Sequence, residues 1–309
     1  MKRRSLIAAL GLAGLASLVG PVTPAQDLDP AQVSAWPGYF RGAAGVVAVS
    51  GKDAYVGAGT LLVVDASDPH SPRVARTIPG LAHVADLVLS ASRACVQDDV
   101  AGLQVLDLND PAPVPIRIPG YGPNQSRPDA IALTGDLLLA AIPDSGLHLL
   151  DLKDVRQPRR VGVLPMQYPV RIAVSHDLAY VIERRPRAPR DFGRLHIINL
   201  QDPANPRSLG FLDVAGVPIH QAVSDAWVCL SIPEIGLRLI DVSDPENPRQ
   251  VGAYAAGGTE GGAVTMDGRT GYLVGAAGLE VLDLSDPTQP RRVGLAENDF
   301  WPANLAGAG

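Results

Sequence analysis

Six times along this chain a short apolar run closes on an acidic or amide residue and passes into a turn rich in Asp and Pro. The copies read TLLVVDASDPHSPRVAR from Thr60, GLQVLDLNDPAPVPIRI from Gly102, GLHLLDLKDVRQPRRVG from Gly146, RLHIINLQDPANPRSLG from Arg194, LRLIDVSDPENPRQVG from Leu237 and GLEVLDLSDPTQPRRVG from Gly278. Aligned on the closing residue they fall at Asp65, Asp107, Asp151, Asn199, Asp241 and Asp283, with spacings of 42, 44, 48, 42 and 42 residues. A unit of that length with four strand signals cannot bury both faces alone and must stack on its copies. That is the logic of a propeller blade. The reading is therefore all-β: a six-bladed β-propeller of four-stranded antiparallel blades, with repeats over about 45–295 inside one domain, 26–309.

Within the fifth copy, alternation and turn residues place an innermost strand at Gln221–Ser224, a second at Ala226–Ser231, a third at Leu237–Val242 and an outermost at Pro248–Tyr254. The second and third strands, covered by neighbouring blades on both faces, should read as near-continuous apolar runs, and they do. Only 5% of the chain is aromatic, but 46% is hydrophobic, with 32 Gly and 28 Pro. This composition suits many short strands joined by tight turns rather than disorder. In Asp241-Val242-Ser243-Asp244-Pro245 the Asp and Ser side chains can bond nearby backbone N–H groups, while Pro245 presets φ. A calcium loop would need alternating oxygen ligands and a closing Glu, which the copies lack.

The runs LLVVD, LQVLD, LHLLD, LHIIN, LRLID and LEVLD, each followed by a DP or its remnant and a further Pro, resemble the LVIVD-repeat family of β-propellers over roughly Gly45 to Leu295. Asp154-Val155 in the third copy and Asn199 in the fourth depart from that pattern. The resemblance implies an exported or surface propeller and assigns no chemistry.

The first residues, MKRRSLIAALGLAGLASLVGPVTPAQ, combine a basic start, an apolar run from Leu6 to Gly20 and small residues near Ala25. Residues 1–25 read as a cleaved signal peptide, and Arg3-Arg4-Ser5-Leu6-Ile7 resembles a twin-arginine signal. The mature protein is expected in the periplasm or outside the cell, beginning near Gln26 or Asp27, with no transmembrane segment. Loss of Lys2, Arg3 and Arg4 would move the formal charge from -6 to -9, which disfavours nucleic acid as a partner. Residues Asp29-Pro30 and Val33 to Phe40 resemble a leftover outermost strand that would complete the last blade, yet the sixth copy has its own outermost strand at Pro290 to Leu295, so one of the two is displaced or added as a fifth.

Ligands of propellers bind at the mouth of the central channel, built by the loop leading into each innermost strand and the loop joining second and third strands. Four or five residues before the Ser or Thr of each inner strand stand Val46, Asp86, Asp129, Arg171, His220 and Glu260. A ring of ionisable groups converging on one axis can hold an ion or polar ligand. The 48-residue spacing marks an insertion, Glu183 to Arg194, read as a long loop carrying Arg184, Arg185, Arg187, Arg190 and Arg194 on the same face. Guanidinium clusters suit a carboxylate, a phosphate or an acidic protein surface, so an envelope or extracellular protein or an anionic ligand is the expected partner.

His148 and His196 fall in third-strand runs and read as packed residues, whereas His83 and His220 lie in mouth loops. Two histidines on non-adjacent blades are a weak metal signal, and no metal or cofactor is assigned. No GxSxG, HExxH or phosphate-cradling loop is present. The leading function is a non-enzymatic binding module; the alternative is a periplasmic enzyme or metal-dependent protein using Asp86, Asp129, Arg171, His220 and Glu260. Cys95 and Cys229 belong to the second and fifth units, on opposite sides of a six-membered ring, and are expected as buried free thiols.

Overall fold

The computed structural model describes residues 46–296, apart from 58, 69, 123–124, 187–191, 225, 256–261 and 276–277. The expected leader, the segment from Val33 to Phe40, Arg187, Arg190 and Glu260 therefore lie outside the described residues. Six antiparallel four-stranded sheets follow one another, each built from four consecutive strands in chain order. In the fifth the strands are His220–Ser224, Trp227–Ile232, Gly236–Asp241 and Arg249–Tyr254, with bounds within one residue of those read from alternation. Among the described residues there is no helix.

Burial follows the blade logic. In the third blade every residue from Leu138 to Leu150 that lies in the second and third strands is buried, whereas the outermost strand, Arg159–Leu164, is mostly exposed. Apolar side chains fill the seams between consecutive blades: Cys95, Leu103 and Val105 of the second meet Ile131, Leu138 and Leu150 of the third. Tyr180, Leu195 and Ile197 of the fourth likewise meet Val228, Leu230 and Ile240 of the fifth. Removing such surface from water, worth about 25 cal/mol per Å² of apolar area, is what holds neighbouring sheets together. Both cysteines are free and buried in these seams, and burial pushes the Cys229 thiol up to about 12.

The repeated turn is a double hydrogen-bonded device. In every copy the closing residue and the Asp three positions later each accept the backbone N–H two residues on, at 2.8–3.1 Å. Four closing aspartates are also clipped from the outermost strand: Arg73, Arg159, Arg249 and Arg291 donate through Nε and Nη2 to Asp65, Asp151, Asp241 and Asp283. Asp107 is held by Arg93 instead, and Asn199 keeps the turn without an arginine clip.

The proline of the same turn serves the next seam. A Cβ on Gly162, Gly210 or Gly252 would overlap the carbonyl oxygen of Pro203, Pro245 or Pro287 in the following blade, so these outermost-strand positions admit only glycine at that separation. Where the third copy has Val155 in place of Pro, the facing position of the second blade is Ile116, and both pack on one apolar cluster.

Candidate functional site

Inner strands carry three of the anticipated mouth residues, with Arg171 within electrostatic reach of Asp86, of His220 and of Asp129 beside another inner strand. Asp86, on the inner strand Val84–Leu89, accepts the Leu87 N–H at 2.8 Å and faces the Ile131 N–H of the next blade. It keeps partial exposure to the channel but is enclosed by protein, and this burial raises its carboxyl above the ordinary range, with Arg171 pulling the other way. Arg171, on Pro169–Ser175, donates from Nε to the Ile219 carbonyl at 2.6 Å and from Nη1 to the Val170 carbonyl at 2.7 Å. Desolvation lowers its pKa, opposed by the charges of Asp86 and Asp129. His220, at the head of His220–Ser224, is pushed down to about 4 by burial and by the Arg171 charge, so it is neutral at pH 7.

Asp129 is exposed just before the third inner strand, its N–H bonded to Ala141 O at 2.8 Å. Val46 is different in kind: it is buried in the seam between the first and second blades. Part of this ring is also structural. Asp86 and Arg171 each reach the backbone of the following blade, as do Gln97 to Pro128 O at 2.9 Å and, in the reverse direction, Gln221 to Tyr180 O at 3.0 Å. These bonds stitch adjacent blades together.

The insertion differs from the expected loop. Its two ends are strand, in an extended hairpin of Leu178–Arg185 and Phe192–Asn199 that continues onto Arg207–Val214. Two of the arginines it carries have ion-pair partners within the fourth blade. Arg194 makes a bidentate pair with Asp213 at 2.6 and 2.9 Å and lies 4.1 Å over the Phe211 ring. Arg185 bonds Glu183 at 3.0 Å. Glu183 is buried, yet the Gln167 N–H, His196 and Arg185 outweigh the upward push of burial and hold its carboxyl below the ordinary range. Arg194 is thus neutralised across the sheet, by a partner that a count of arginines along the chain does not show, and Arg185 by Glu183 on its own strand, which removes both from any free basic patch.

Between this hairpin and the fifth blade opens a cleft of about 1150 Å³. Arg171 and Asp129 line it on the channel side, Arg184 and Phe192 on the hairpin side, and segments 214–219 and 232–235 complete it. The first segment leads into an inner strand and the second joins a second to a third strand, so the two loop types do share a face. Gly216 has φ +78°, and a Cβ there would press on Ile232 and Ile235; its carbonyl accepts the Gly193 N–H at 2.7 Å. The close approach of hairpin to loop depends on Gly193, where a Cβ would lie 2.6 Å from Pro218. These two segments escaped the sequence reading, although Gly216-Val217-Pro218 and Pro233-Glu234, the latter with Glu234 at φ +61°, are turn signals at the mouth.

Two of the other histidines have partners within the fold. His148 is buried between the Tyr121 hydroxyl at 2.8 Å and Ser145 Oγ at 2.7 Å, and His83 pairs with Asp99 at 2.8 Å. Among the described residues no three His, Cys, Asp or Glu side chains are placed to hold a metal ion.

The LVIVD repeat matches residues 41–77, 222–256 and 271–296, on the first, fifth and sixth blades. The chain carries LVIVD repeats. Solved structures similar to this LVIVD-repeat chain match it at low identity. The β-propeller domain of Myceliophteria thermophila Cps50 (Swd1) has a TM-score of 0.67 at 14% identity, covering 86% of this chain and 90% of that one. The computationally designed Ika8 protein gives 0.62 at 12%, covering 85% and 77%. A hypothetical selenium-binding protein from Sulfolobus tokodaii gives 0.58 at 13%, covering 81% and 76%. At such identities the likeness is one of fold. No curated protein matches the chain. Among the described residues no helix is long and apolar enough to cross a membrane.

Proposed function

We propose that this LVIVD-repeat propeller is an exported, non-enzymatic binding module that receives its ligand or partner at the channel mouth, between the fourth-blade hairpin and the fifth blade. The observation that carries the reading is the cleft of about 1150 Å³, where apolar walls meet the desolvated Arg171. Concave sites with few convergent polar groups are where proteins bind small ligands. Export rests on the basic, apolar and small-residue segments of residues 1–25.

A second reading, an enzyme at the same mouth, has one specific support. Asp86 with a raised carboxyl and His220 kept neutral flank one guanidinium, and shifted groups of that kind suit acid–base chemistry. Affinity capture from an envelope extract, paired with elemental analysis of the purified protein, separates the two. A ligand or partner retained unchanged supports the module; a bound metal, or a compound turned over, supports the enzyme. Mass spectrometry of the native protein should find its N-terminus near Gln26 or Asp27, and an intact Met1 would end the export proposal.

A further inference from the structure

We infer that the mouth cleft is a site for a small amphipathic acid, a single carboxylate on an apolar body, with the carboxylate on Arg171 and the body along Phe192, Val214 and Ile235. This rests on the mouth-face reading above and names its ligand class.

Arg171 is the anchor because its geometry is already set. Two of its five N–H donors hold the carbonyls of Ile219 and Val170, which fixes the guanidinium plane while leaving donors on Nη1 and Nη2. Among the described residues it makes no ion pair, although Asp86 and Asp129 are near enough for their charges to be felt. A pre-positioned, partly dehydrated guanidinium lining a cavity is a carboxylate receptor, since such forks bind carboxylates bidentately. Carboxylates limit the charge that can be accepted: Asp86 and Asp129 act on Arg171, and Asp129, Asp213 and Glu234 line the cleft against Arg171 and Arg184, so a monoanion gains more from Arg171 than a dianion does.

The walls account for the rest of the ligand. Val214 and Ile232 are buried at the cleft floor, while Val170, Phe192, Val217 and Ile235 are partly exposed along its sides. A short alkyl or aromatic body would cover this apolar surface while the charged end stays at the channel. Arg194, by contrast, is already closed by Asp213 and offers no competing anion site.

The test is calorimetric titration of the full chain with octanoate, with its neutral analogue octanamide, with acetate and with octyl phosphate. Octanoate should bind about tenfold or more tightly than octanamide, because the amide forfeits the charge-assisted fork. Acetate should bind more weakly for want of an apolar body, and octyl phosphate should not exceed octanoate. His220 supplies a readout that needs no variant: burial and then the Arg171 charge depress its imidazole, and an anion on Arg171 offsets the second, so its NMR titration midpoint should rise on saturation with octanesulfonate, the analogue of octanoate that stays ionised at low pH. Arg171→Gln should abolish the preference over octanamide, and Ala215→Trp, which fills the cleft and spares the Ile219 bond, covers the case in which Arg171→Gln fails to fold.

Equal binding of octanoate and octanamide would overturn the assignment, as would no heat together with an unmoved His220. Binding of a peptide ending in Leu, with octanoate silent, would overturn the small-acid class. If octanoate fails but a captured partner is still lost in Ala215→Trp, the ligand class is wrong and the mouth-face reading stands. Failure of both removes both.

Discussion

The turn that ends each third strand predicts an asymmetry between two substitutions of one residue. Asp241 is 6% exposed and accepts the Ser243 N–H at 3.0 Å, the Ser243 hydroxyl at 2.6 Å, and Arg249 through Nε at 3.0 Å and Nη2 at 2.7 Å. The side chain of Arg249 is 74% exposed, so water replaces the carboxylate readily and the ion pair is worth at most about 1 kcal/mol. The bonds at Ser243 are less replaceable, and losing a charge-assisted bond to a part-buried donor costs about 1.5–3 kcal/mol. Asp241→Ala should therefore cost about 2–3 kcal/mol. Asp241→Asn keeps the Oδ1 acceptor, as Asn199 does for Gln201 N at 2.8 Å in the fourth blade, and should cost under about 1 kcal/mol. Thermal melts followed by circular dichroism should show a fall of about 4–10 °C for the alanine variant and much less for asparagine. Equal losses for the two variants would mean that the Arg249 pair, not the turn, carries the stability.

Three further outcomes follow from the seams and the channel. Gly252→Ala should destabilise by about 1–3 kcal/mol, since its Cβ would overlap Pro287 O, while Gly294→Ala, whose Cβ would meet only Val281 at 3.4 Å, should be near neutral in the same melts. His220, at about 4 when folded against about 6.5 unfolded, means that the unfolded chain binds more protons between those values. Its contribution is full above about pH 6.5 and is lost as pH falls toward 4, so the melting midpoint should fall across that window in the wild type and fall less in His220→Gln. Asp283, held near about 2 by Ser285 and Arg291, adds a separate loss only below about pH 4. Thiol labelling without reductant should give almost no reaction in the folded protein and two labels per chain when unfolded; a single disulfide-linked product would contradict the placement of Cys95 and Cys229 in separate seams.

The blades were legible because their punctuation is local. Asp, Pro and Ser within five residues make the turn, and the register of the four strands follows from alternation between turns. The convergence of Asp86, Arg171 and His220 was legible for a related reason, since equivalent positions in a ring of repeats must face one axis. Val46 broke that equivalence by packing into a seam, which its apolar side chain favours. The cleft was not legible, because it depends on strands lengthened beyond the repeat and on Gly193 resting against Gly216, a contact between two blades. The pairing of Arg194 was hidden for the same reason: Asp213 is distant in sequence from it but opposite it across the sheet.

The measurement that bears most directly on the binding account is a paired capture from envelope extract with three baits: wild type, Ala215→Trp in the cleft, and Val163→Arg on the exposed outermost strand of the third blade. The account predicts that whatever the wild type retains is also retained by Val163→Arg and is lost from Ala215→Trp, with all three baits melting alike. Retention by Ala215→Trp together with loss from Val163→Arg would place the working surface on the outer edge of the propeller and contradict the account.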